Sequence, residues 1–184
     1  MGKPIRNAFT LVESLVAISL TTLAVGAFVS SIETTQSSAS SGVEQLIAEG
    51  LAQQLLDEAL GLPVQKTAIP ITANLSNAPR STFTHLEQYH QVTENPILDI
   101  YGHPLGKEDG QGGLRGADYQ AIERFQKWHR HITVEYMDRE TPSLPSGIVT
   151  DLLRVRVRVR KMNHDGTHTS LADVSRYVTR ETIE

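Results

Sequence analysis

The stretch FTLVESLVAISLTTLAVGAFV, residues 9–29, decides how the rest of the chain is read. It is apolar and uncharged except for Glu13. A helix of these 21 residues reaches about 32 Å, enough to cross a hydrocarbon core of about 30 Å. A carboxylate in hydrocarbon is costly and usually marks a function, so Glu13 needs a purpose. Lys3 and Arg6 precede the stretch, and the next basic residue is Lys66. That asymmetry orients the short N-terminus toward the cytoplasm and the remainder across the membrane.

The bulk composition adds limits. The chain has 184 residues and a formal net charge of −4, so no global basic charge calls for a polyanionic partner. The absence of cysteine excludes disulfides, thiol catalysis and thiolate metal sites. Neither a G-x-S-x-G nucleophile motif nor a glycine-rich phosphate loop occurs, which argues against an enzyme.

Three readings of the N-terminus compete. An ordinary secretory signal also begins with basic residues and an apolar run, and LAVGA, ending at Ala27, offers a small-residue cleavage site that would leave Phe28 first. A plain membrane anchor fits the length and leaves Glu13 unexplained. The third reading rests on resemblance. The leader MGKPIRNA followed by FTLVESLVAISLTTLAVGAFV resembles the N-terminus of the type IV pilin family, which includes the pseudopilins of type II secretion. The match covers about the first 30 residues. The resemblance implies that a prepilin peptidase cuts between Ala8 and Phe9 and N-methylates Phe9, with Ala8 replacing the family's usual glycine. It implies further that Glu13 pairs with the N-terminal ammonium of a neighbouring subunit, Phe9 and Glu13 together setting register. The partners it implies are other pilin or pseudopilin subunits and an inner-membrane assembly platform. The physics is compatible, because a buried charge is tolerated when paired and penalises registers in which it is not.

Beyond the span, GVEQLIAEGLAQQLLDEALG places Val43, Ile47, Leu51 and Leu55 four apart, with Leu46 and Leu56 widening the stripe. Gly61 and Pro63 end the helix. The spacing predicts a helix of about 50 residues, continuous or slightly kinked at SSASSG (37–42), whose second half packs on a sheet. Residues 66–81 read as irregular, and the glycines at 106, 110, 112, 113 and 116 mark a long loop. Tyr119, Ile122 and Phe125 suit a helical turn, whereas Ile132, Val134 and Tyr136 alternate as a strand does. In LLRVRVRVRKM, Leu153, Val155, Val157 and Val159 face one way and Arg154, Arg156, Arg158 and Arg160 the other. Asp165-Gly166 marks a hairpin turn into LADVSRYVTRE.

The expected fold is therefore α+β: a long N-terminal helix, its first half transmembrane, packed on a small antiparallel sheet of at least three strands. The expected organisation is a removable leader (1–8), the long helix (9–62, with 9–29 in the membrane) and an extracytoplasmic domain (63–184). This layout resembles the pilin architecture.

Other candidate chemistry is weaker. The arginine row has the form of a phosphate-binding face, but it equally describes a solvated face balanced by Glu135, Asp173 or Glu181, and nucleic-acid binding is the lesser reading. His129 and His131 share a strand face and His164 and His168 flank the turn, without an HExxH motif. Glu108, Asp109 and Asp118 in the glycine-rich loop are candidate calcium ligands, in a spacing unlike an EF-hand. The resulting expectation is a minor pilin or pseudopilin of an envelope-spanning filament in the bacterial inner membrane. The alternative is a membrane-tethered or secreted ligand-binding domain.

Overall fold

The computed structural model describes residues 10–65, 71, 79–107, 109, 111, 113–116 and 123–180. Among the described residues there are one long helix, α1 (Leu11–Leu60), three short 3-10 turns (Arg80–Thr82, Leu86–Tyr89, Glu123–Lys127) and four strands. The strands are β1 (Val92–Glu94), β2 (Trp128–Tyr136), β3 (Leu152–Met162) and β4 (His168–Thr179). They form one antiparallel sheet in the order β1-β2-β3-β4. By internal contacts the chain divides into two compact units, residues 1–43 and 44–184.

In the first unit every described residue up to Ser41 is exposed, from Thr10 onward. The large apolar side chains of this segment are exposed, and Leu11, Val12, Leu15, Ile18, Leu23 and Phe28 are each more than half exposed. Its hydroxyl groups fold back on the helix. Ser19, Thr21, Thr22, Thr34 and Thr35 each donate to the carbonyl four residues earlier at 2.8–2.9 Å. Such back-bonding satisfies hydroxyls where no water is present and keeps the surface apolar. α1 is long and apolar enough to cross a membrane, and the serine-rich SSASSG segment lies within it without a break.

In the second unit the C-terminal part of α1 packs on the sheet. Its buried residues are Ala48, Ala52, Leu55, Leu56 and Ala59. The contact face is therefore turned about one position from the stripe expected from sequence. Ile47 and Leu51 lie at its margin, and Val43 and Leu46 are exposed. The reason is steric: alanine lets a helix backbone approach a sheet closely, and larger aliphatic side chains then wrap the edges of the contact. Across from the helix, Trp128, Ile132 and Val134 of β2 and Leu153, Val155, Val157 and Val159 of β3 are fully buried. The strict alternation of β3 yields this face directly. Asp165 and Gly166 turn β3 into β4: Gly166 has φ +81°, which suits glycine, and Asp165 accepts the Thr167 N–H at 2.9 Å. The described turn at Glu123–Lys127 contains Phe125, which packs edge-on to Trp128 with ring centroids 5.2 Å apart. Tyr119 and Ile122 lie outside the described residues.

A buried polar network joins helix to sheet. Arg130 points from β2 into the core and is only 2% exposed. Its guanidinium donates to Glu94 of β1 at 2.8 Å, to the Leu51 carbonyl of α1 at 3.0 Å and to the Leu98 carbonyl at 2.9 Å. Arg80 pairs with Glu94 and donates to Glu58 of α1 at 2.7 Å. The Tyr89 hydroxyl donates to the same Glu58 carboxylate at 2.7 Å. Burial, reinforced by Glu58, raises the Tyr89 pKa. Burial, and then the Arg80 charge, push Arg130 down to about 9, which still leaves it charged at neutral pH. Two guanidiniums thus depend on Glu94 and Glu58. The substitution Glu94→Gln leaves positive charge uncompensated in the core and is expected to destabilise the sheet unit by about 3–5 kcal/mol. Trp128 is the sole tryptophan and is fully buried, so its fluorescence reports the unfolding midpoint that tests this.

Candidate functional site

Glu13 lies in the first turn of α1. Its Oε2 accepts the Thr10 backbone N–H at 2.9 Å and the Thr10 hydroxyl at 3.0 Å, while the Glu13 N–H donates to the Thr10 hydroxyl oxygen at 3.3 Å. This reciprocal pair is a capping box, with Thr10 as N-cap and Glu13 three residues on. Two of the donors that a helix start leaves unsatisfied are thereby satisfied, and the negative charge sits at the positive end of the helix dipole. Only one carboxylate oxygen takes part, and the side chain is exposed, so Glu13 can cap its own helix and still accept an external cation. The T-x-x-E spelling was legible in the sequence, and the capping role is an addition to the pairing role expected for Glu13. Ala8 and Phe9 lie outside the described residues.

The arginine row is sorted by the sheet register into two pairs of unlike fate. Arg154 lies opposite Glu135 and donates to it at 2.8 Å, and Arg156 donates to Asp173 of β4 at 2.7 Å. The Arg156 hydrogen bond holds the Asp173 carboxyl below the usual carboxylate range. These two pairs are the balanced, solvated face that cross-strand neighbours predict. Glu181, the third proposed counter-charge, lies outside the described residues. Arg158 and Arg160 stand opposite His131 and His129 and form no ion pair among the described residues.

In the glycine-rich loop, Asp109 Oδ1 accepts the backbone N–H groups of Gln111 at 2.7 Å and Gly113 at 2.8 Å, which lowers its pKa. A Cβ at Gly113 would come within 2.5 Å of Asp109 Oδ2, so glycine there lets the carboxylate close the loop. Glu108 and Asp118, the other two calcium candidates, lie outside the described residues. Among the described residues no group of three histidine or acidic side chains is arranged to hold a metal ion.

Searched against family models, curated proteins and solved structures, the chain matches none.

The capping box makes a local prediction. Thr10→Ala removes both its hydroxyl contacts and is expected to speed amide exchange of residues 11–14 about fivefold in detergent micelles, leaving the sheet unit unchanged. Glu13→Gln, which retains the acceptor oxygen, should fray the turn less than Glu13→Ala when exchange is read by NMR.

Proposed function

We propose that the chain is a type IV pilin-like filament subunit, a minor pilin or pseudopilin, made as a membrane-anchored precursor and processed by a prepilin peptidase. The observation that carries this reading is the placement of Glu13. It is the single charge in an exposed apolar stretch of membrane-spanning length, four residues beyond Phe9. α1 continues from that stretch to Leu60, where its last turns form the spine of an antiparallel-sheet unit. A plain transmembrane anchor or a cleaved signal explains an apolar run, but neither uses a carboxylate near its start.

On this reading the precursor rests in the inner membrane with its N-terminus cytoplasmic and its sheet unit extracytoplasmic. Cleavage after Ala8 creates a new ammonium at Phe9. As subunits leave the bilayer, the Leu11–Val29 surface exchanges lipid for the helices of neighbours. The free Glu13 oxygen then meets the Phe9 ammonium of an adjacent subunit. A charge pair removed from water contributes little net stability but strongly disfavours an unpaired alternative, so its effect is on register. The protein is thus a structural component and a substrate of the peptidase.

Co-expression with a prepilin peptidase tests the reading. The expected product lacks residues 1–8 and begins with a methylated Phe9, as measured by intact mass and N-terminal sequencing. Glu13→Ala is expected to be cut normally yet to be lost from filaments assembled with partner subunits. A product starting at Phe28 would favour the secreted ligand-binding domain, and an uncut chain the permanent anchor.

A further inference from the structure

On the outer face of the sheet, away from α1, the register brings together side chains from all four strands. Thr93 of β1, His129 and His131 of β2, Arg158 and Arg160 of β3 and His168 of β4 line one cleft of about 280 Å³. The pairings Thr93↔His131↔Arg158 and His129↔Arg160 place them in adjacent rows. A register shift between Val159 and Arg160 brings the start of β4 over the same rows. As a result the His129 and His168 rings meet edge-on, with centroids 4.9 Å apart. All four described nitrogen-bearing groups of β2 and β3 here are potential donors, and no acidic side chain lines the cleft among the described residues. His129 Nε2 and Arg158 Nε are buried and make no hydrogen bond to a described protein group.

We infer that this cleft binds a compact tetrahedral oxyanion, a phosphate or sulfate group, either free or as the end of a small ester. Two guanidiniums supply fixed charge and forked donors suited to such oxygens. Thr93 and the imidazoles supply further donors, and the concave shape accommodates a compact group better than a flat polymer contact. A cation is disfavoured twice: Arg158 and Arg160 repel it, and the histidines are not arranged as a metal-ligand group.

The charges around the imidazoles define the pH behaviour. Burial lowers the His131 pKa, as do Arg158, Arg160 and the neighbouring His90, while Glu135 opposes them. Burial and His168 lower His129. Of the neighbouring carboxylates, Glu135 is engaged by Arg154, and Asp173, which stands opposite Arg158 in the sheet and feels the charges of Arg158 and Arg160, is hydrogen-bonded by Arg156. Both imidazoles are therefore neutral at neutral pH. A bound dianion stabilises their protonated forms and raises their pKa values, so protons are taken up on binding and affinity rises as pH falls.

The test uses the full chain in a non-ionic detergent and calorimetric titration with sulfate, whose charge is constant over the range. One-site binding that tightens about tenfold from pH 8 to pH 6 is expected. Arg158→Gln with Arg160→Gln should weaken it by more than about tenfold, whereas Arg154→Gln, outside the cleft, should not. NMR titration of the wild-type His131 ring provides a reading independent of any variant: sulfate should raise its pKa. Inorganic phosphate and glucose 6-phosphate then separate the sources. Equal affinities indicate a free ion and tighter ester binding a phosphorylated ligand, and both support the site. Absence of binding, unchanged binding in the double arginine variant, an unmoved His131 pKa, or binding of an oligonucleotide but of neither small phosphate would overturn it.

Discussion

The apolar surface between Leu11 and Ile32 is the constraint on which the rest of the account turns, because these side chains are exposed and must be covered by something other than water. At roughly 25 cal/mol for each Å² removed from water, an uninterrupted helix surface of this kind has a strong drive into lipid or against other helices. Lipid covers it without specificity. Neighbouring helices cover it equally well and leave sliding and rotation open, since one apolar helix face packs in many registers. A single ionisable group removes that degeneracy, because only one register gives it a partner. On the proposed filament reading Glu13 is that group, and its capping box with Thr10 orients the carboxylate.

The second unit faces a different problem, which is to hold a helix against a sheet through small residues. Ala48, Ala52 and Ala59 permit close approach but each buries little area. The missing specificity comes from the charged network. Glu58 and the Leu51 carbonyl on the helix, Glu94 on β1 and Arg130 on β2 cannot all be satisfied unless helix and strands are in one arrangement. The Arg130 cluster is thus an ionic group whose cost without a partner excludes alternatives, the same principle by which the proposed filament reading has Glu13 set register.

Much of the architecture was legible in the sequence, and the reasons are local. α1 follows from an apolar span, a helical stripe and the Gly61/Pro63 stop. β3 follows from strict alternation, and the hairpin from Asp165-Gly166. What was illegible depends on contacts distant in sequence. β1 has three residues, too few for periodicity to register. Arg130 looks like one more polar residue of a strand, and its burial is explained by partners distant in sequence, Glu94, 36 positions away, and the Leu51 and Leu98 carbonyls. The alternation of arginines suggested one uniform face, whereas the strand register pairs Arg154 and Arg156 with acids and sets Arg158 and Arg160 beside histidines. The approach of His129 to His168 depends on a register shift that no sequence pattern announces.

The most direct measurement of the central claim asks whether Glu13 meets a neighbour's N-terminus. Filaments assembled from a mixture of isotopically labelled and unlabelled subunits would be treated with a carbodiimide, which joins a carboxylate to an amine only when the two are in contact. The account predicts a cross-linked peptide joining the Phe9 amine to Glu13, in which one half is labelled and the other is not. Recovery of that cross-link solely within single-label peptides, or its absence from intact filaments, would contradict it.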